Sequence, residues 1–262
     1  MNKPHANTPR ADLFHGTESL PPLSPPDWFP PQAEALGIAF DRGDLETLGR
    51  FLNILLTVNT RTNLTAIKEP EDAWRKHILD SLTLIPYIAE LQNLTHSNNP
   101  RVIDVGSGAG LPAIPLAICM PHIRFTALDS TAKKTAFIDH AATTLGLTNL
   151  QTINDRAENL GQNPDHRDRY HAAIARAVGP IAVLAELTIP LLTTPGLALL
   201  VKGERADQEL AAAKHALHAL HTRHETTHST PTGRIVVLSK QRPTPHAYPR
   251  RAGEPKRAPL GA

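Results

Sequence analysis

The spacing of apolar positions changes near residue 100 of the 262-residue chain. Upstream, Leu45, Leu48, Phe51, Leu52, Leu55 and Leu56 recur at the spacing of one helical face, with Asp44 placed to cap it. A second face begins at Glu71, after Pro70, and runs through Trp74, Ile78, Leu82 and Ile85. With periodicity starting near Gln32, this predicts an all-helical N-terminal cap over 32–95. Residues 1–31 carry eight of the chain's 24 prolines and no apolar period, and are expected to be a disordered leader.

After the polar break His96-Ser-Asn-Asn-Pro100, short apolar runs alternate with helical stretches. Strands are predicted at Val102–Val105, Ile123–Leu128, Leu150–Ile153, Ala172–Ala175, Leu197–Val201 and Ile235–Leu238. Helices are predicted near Pro112–Cys119, Thr131–Leu145, Ile181–Leu192 and Ala206–Leu220. Such alternation implies an α/β domain over 96–240 with a doubly wound, mostly parallel sheet. Residues 241–262 form a basic tail: from Gly233 onward seven Lys/Arg face one acid, Glu254, although the net charge of the chain is only +2. That imbalance points to a polyanionic partner.

A His-rich insertion at about 214–232 spaces His215, His218, His221, His224 and His228 by three and four. Only Glu225 lies nearby to complete a ligand set, so a solvated helix end is expected, with no metal. The single cysteine, Cys119, excludes an intrachain disulfide. No secretory signal or membrane span is apparent, so a cytoplasmic protein is expected.

The most informative segment is Val102-Ile-Asp-Val-Gly-Ser-Gly-Ala-Gly-Leu-Pro112, a strand, three alternate glycines and a helix-opening proline. The dinucleotide pattern Gly-x-Gly-x-x-Gly fails, because its third glycine would fall at Leu111. Asp104-x-Gly106-x-Gly108-x-Gly110 instead resembles the first motif of S-adenosylmethionine-dependent methyltransferases. Asp129 ends the next strand 25 residues after Asp104, where a carboxylate can accept bonds from two ribose hydroxyls. Asp155-Arg-Ala157-Glu158 follows the third strand, where such enzymes commonly hold adenine.

Several chemistries are closed by absence. No Asn-Pro-Pro-Tyr/Phe occurs to polarise an exocyclic amine, and no Tyr-x-x-x-Lys is present. Carbon-5 pyrimidine methylation needs a nucleophilic thiol, and Cys119 lies within an apolar helix. Guanine N7 fits what remains, because its lone pair is free in the neutral base and needs no general base.

Asn63-Leu-Thr-Ala-Ile67, Trp74-Arg-Lys-His77-Ile-Leu-Asp80-Ser81-Leu82 and the glycine loop together resemble the bacterial small-subunit rRNA guanine-N7 methyltransferases, as do several downstream segments. Those segments are Asp129-Ser130-x-x-Lys133-Lys134, Arg156-Ala-Glu158, Ala175-Arg176-Ala177, Val201-Lys202-Gly203 and Tyr248-Pro-Arg-Arg-Ala-Gly253. The resemblance implies a class I, Rossmann-like methyltransferase domain using S-adenosylmethionine, with 16S rRNA in the small ribosomal subunit as partner. It implies methylation of guanine 527 at N7. Nothing in the sequence suggests an obligate dimer, so a monomer is expected.

It also implies cofactor contacts at Asp104, Gly106, Gly108, Gly110, Leu111, Asp129, Ala157, Glu158 and Arg176. His77, Asp80, Ser81 and Arg176 would position the acceptor, and Lys133, Lys134, Lys202, Arg250 and Arg251 would meet RNA. The chain departs from many members at Ala113 and Val178. A small-molecule methyltransferase and a non-catalytic rRNA-binding module stay open as alternatives.

Overall fold

From residue 100 onward both faces of each central strand carry apolar side chains, and each face meets its own layer of helices. The computed structural model describes residues 13–95, 97–176 and 179–261. Helix α1 (Phe29–Ala35) and the long α2 (Asp44–Asn59) come first. Then follow α3 (Pro70–Ala73), a π-helix (Trp74–Leu79), α4 (Asp80–Leu82), α5 (Ile85–Ala89) and α6 (Leu91–Thr95). β1 (Arg101–Val105), α7 (Ala113–Cys119), β2 (Arg124–Leu128), α8 (Ala132–Leu145) and β3 (Leu150–Ile153) alternate as expected. So do α9 (Ala157–Gln162), β4 (Tyr170–Arg176), α10 (Ile181–Thr188) and β5 (Leu192–Lys202). Helices α11 (Ala206–Ala212) and α12 (Lys214–Ala219) lead to the hairpin β6 (Thr222–Thr230) and β7 (Gly233–Lys240), and α13 (Glu254–Arg257) lies in the tail.

The seven strands run in the order β3-β2-β1-β4-β5-β7-β6, with β7 antiparallel to both its neighbours. This is the doubly wound, mostly parallel sheet expected from the alternation. Side chains alternate across it. Ile103, Val105, Ala173, Ala175, Leu200 and Val236 share a core with α9, α10, α11 and α12. Val102, Phe125, Ile174, Leu199, Ile235 and Val237 share another with α5, α6 and α7.

Helices α1 to α6 lie between Phe29 and Thr95, and a third core seats them against the glycine loop. Leu48, Phe51, Leu52, Leu55, Trp74 and Ile78 pack with Leu111, Ala113, Ile114 and Phe137. Gly43, not Asp44, is the N-cap of α2; the Asp44 carboxylate accepts the Asp41 N–H at 2.9 Å.

The leader requires correction. Residues 13–31 are seated on the domain, and residues 1–12 lie outside the described residues. Phe14 stacks on His140 with ring centroids 4.6 Å apart, Thr17 hydrogen-bonds the same ring at 2.6 Å, and Phe29 is wholly buried. These few anchors are scattered among prolines and make no sustained apolar period.

The His-rich stretch also differs from expectation. His215 and His218 lie on α12, His221 makes a left-handed turn at φ +56°, and His224 and His228 lie on β6. One helical face never forms, and the supposed insertion is the edge of the sheet. β6 escaped prediction because its sequence has no apolar face; pairing with β7 makes it a strand. Among the described residues, no helix is long and apolar enough to cross a membrane.

Candidate cofactor and acceptor site

The loop after β1 is held from below. The Gly106 and Ser107 N–H groups donate to the Leu128 carbonyl at 2.8 and 3.0 Å, closing the loop onto the end of β2. Asp104 is buried beneath it, its Oδ2 accepting the Ser107 hydroxyl at 2.5 Å and the Ala113 N–H at 3.3 Å. Burial pushes its carboxyl up to about 6. Asp104 thus ties strand, loop and α7 together, and its side chain does not reach the cavity above.

The glycines divide by role. At Gly108, φ +60°, a Cβ would meet only the Gly106 carbonyl oxygen, at an ordinary 3.9 Å, so it is the left-handed backbone that favours glycine there. At Gly110, also left-handed, a Cβ would collide with the Ile114 side chain, so this glycine serves the fit of loop to helix. Leu111 is buried in the cap core.

A cavity of about 430 Å³ opens at the carboxyl ends of the parallel strands, where ligands bind in doubly wound sheets. It brings together Gly106, Asp129, Lys134, Ala157, Glu158 and Arg176 from the predicted set. Asp129 accepts the Gly108 N–H at 3.0 Å on Oδ2 and the Thr131 N–H at 2.8 Å on Oδ1. Each oxygen keeps further acceptor capacity, which fits a vicinal diol. Lys134 stands 3.8 Å from the same carboxylate. Ala157 opens α9, and Glu158 behind it accepts the Gly253 N–H at 2.7 Å.

At the cavity's other flank Arg176 leaves β4 and reaches the cap. Its Nη1 donates to the Lys76 carbonyl at 3.0 Å and to Asp80 Oδ2 at 2.9 Å. The wide turn of the π-helix accompanies this carbonyl contact, and such turns concentrate at functional sites. His77 is buried, with Nε2 2.9 Å from the Thr65 hydroxyl. Burial, helped by the nearby Arg176, lowers its imidazole to about 4, so it is neutral at pH 7. Ser81 faces inward, donating to the His77 carbonyl at 2.5 Å, and does not point at the cavity.

Of the cations expected to meet RNA, Lys133 and Arg251 are exposed. Lys202 and Arg250 are occupied inside the fold. Lys202 donates to the Gly179 carbonyl and pairs with Glu209, both at 2.7 Å. Arg250 pairs with the buried Glu186. Ala113 is fully buried at the start of α7, a position with little room for a larger side chain; Val178 lies outside the described residues.

Sequence reasoning missed Arg156, Pro255 and Lys256, which also line the cavity. Arg156 sat within a quoted motif. Nothing in the tail's spacing shows that it folds back onto α9.

The family model for rRNA small subunit methyltransferase G matches residues 44–237. The chain is 43% identical to "Ribosomal RNA small subunit methyltransferase G" of Sorangium cellulosum, covering 88% of this chain and 94% of that relative.

The chain belongs to the rRNA small subunit methyltransferase G family.

Identity to the Deinococcus radiodurans relative of the same name is 41%, over 82% of this chain and 85% of that one. Among solved structures it is similar to a SAM-dependent methyltransferase from Aquifex aeolicus, with TM-score 0.49 and 14% identity, covering 68% of this chain and 96% of that chain. The fold is the class I, Rossmann-like methyltransferase fold, and the cofactor is S-adenosylmethionine. The cavity suits that cofactor: a glycine, Gly106, in its lining, a carboxylate with spare acceptors, and a mixed rim of acids and bases.

Proposed function

We propose that this protein methylates N7 of a single guanine in 16S rRNA, guanine 527 in the usual numbering, within the small subunit or its precursor. It would act as a cytoplasmic monomer. The observation that carries this reading is the joined rim: the cap residues Lys76 and Asp80 and the post-β4 residue Arg176 meet beside the cofactor cavity. A base entering between cap and sheet would lie against that rim.

When bound, S-adenosylmethionine supplies an electrophilic sulfonium methyl. Asp129 would hold the ribose, the glycine loop would admit the methionine part close to backbone, and Ala157, at the start of α9, would meet the adenine. Arg176, fixed by the cap, orients the acceptor for in-line transfer, and the seated cap keeps water out. Guanine N7 presents its lone pair without losing a proton, so neutral His77 has no proton to remove and acts as packing for the Asp80 helix.

The test is transfer of labelled methyl to small subunits or 16S rRNA lacking the modification, with N7-methylguanine located by strand scission. Label at one guanine supports the reading. Turnover of a small molecule without RNA would replace it, and RNA binding without any transfer would leave a binding module.

A further inference from the structure

The second oxygen of Asp80 has a partner from a distant part of the chain. Asp80 Oδ2 is held by Arg176, and Oδ1 accepts a hydrogen bond from the Thr232 hydroxyl. Thr232 sits in the tight turn of the β6–β7 hairpin, whose flanking residues Thr230 and Gly233 are paired. Because β7 runs against the parallel strands, this turn lies at the end of the sheet where the crevice opens.

A carboxylate rotates broadly about its last side-chain torsion. Held at Oδ2 alone, Asp80 could turn and let the Arg176 guanidinium swing. With Oδ1 bound to a hydroxyl placed by a short hairpin turn, carboxylate and guanidinium share one orientation. The Lys76 carbonyl adds a third point to that arrangement.

We propose that Thr232 is a positioning residue for methyl transfer: its hydroxyl locks Asp80, and through it Arg176, at the acceptor side of the crevice. The inference rests on the reading above, in which that pair faces the acceptor base. It makes the antiparallel hairpin part of the acceptor site.

The test compares Thr232→Val, which keeps the shape and removes the hydroxyl, with Thr232→Ser, which keeps the hydroxyl. Asp80→Asn and the double variant complete a cycle. Substrate is small subunits lacking the modification, and cofactor affinity is measured alongside as a control for folding.

Thr232→Val should lower kcat about tenfold while cofactor Kd stays within about twofold, the loss expected for one hydrogen bond to a charged group. Thr232→Ser should match the parent. Thr232→Val should cost little further in the Asp80→Asn background, because Arg176 has lost its charged partner there and the Thr232 bond no longer fixes it. A parent-like Thr232→Val, an equally impaired Thr232→Ser, or additive losses in the double variant would overturn the proposal. If Asp80→Asn itself turns over normally, the acceptor reading of the pair fails and this inference with it. If Asp80→Asn is crippled and Thr232→Val is not, only the role of Thr232 falls.

Discussion

Glu186, completely buried on α10, is neutralised by Arg250 from the tail, 64 positions away in sequence. Its Oε1 accepts the Arg250 backbone N–H at 2.9 Å and Nε at 2.8 Å, while Oε2 accepts Nη2 at 2.6 Å. The pair pins the tail beside the cofactor cavity, and it removes Arg250 from the residues free to meet RNA.

Arg250→Ala should therefore act on stability, since it strands a buried carboxylate. A loss of about 3 kcal/mol is expected in denaturant unfolding. Arg251→Ala should leave stability unchanged and reduce the salt slope of rRNA binding by about 1. Identical behaviour of the two variants would contradict the assignment.

Lys202 follows the same logic. Its ammonium bridges the Gly179 carbonyl and Glu209, and Glu209 also accepts the Ile181 N–H at 3.2 Å. Lys202→Met should destabilise the protein by about 1–3 kcal/mol through the lost bonds. The salt dependence of RNA binding should not change. A shallower salt slope in this variant would return Lys202 to the RNA surface.

Asp129→Ala should weaken S-adenosylmethionine binding by roughly 1–3 kcal/mol, the value of hydrogen bonds from ribose to a charged acceptor. The same change frees the Gly108 and Thr131 N–H groups, so the loop should exchange its amide hydrogens faster. Calorimetry showing parent affinity would remove Asp129 from the cofactor site.

His77 predicts a pH dependence. Its value falls from 6.5 in an unfolded chain to about 4 in the fold, mainly through burial. Between those values the native state binds fewer protons, so stability declines as pH falls through the window. The contribution reaches up to about 3 kcal/mol at the acid end. His77→Gln should show a flatter decline in thermal melts between pH 7 and about 4. Parallel curves for the two proteins would show that His77 is not held neutral.

Much of the proposed cofactor half of the site is written locally. Gly106, Gly108 and Asp129 belong to two strand ends that are neighbours in the sheet, and a βαβ order places them together without further information. The cap was legible for a similar reason, because Leu48, Phe51, Leu52 and Leu55 repeat at the helical period. Ser81 shows the limit: a motif resemblance put it at the active-site mouth, but its hydroxyl closes on the carbonyl one turn back.

The sequence by itself determined the doubly wound sheet, the helical cap and the glycine loop, because each is encoded in local periodicity or in short-range backbone geometry. Tertiary structure alone decided which charges are free. Lys202, Arg250 and Arg251 look alike along the chain, yet two meet buried or half-buried carboxylates and one meets solvent. It also decided that β6 is a strand, that residues 13–31 are anchored, and that Thr232 meets Asp80 across 152 positions. These outcomes depend on which surfaces the folded sheet brings within bonding distance, and no local pattern carries that information.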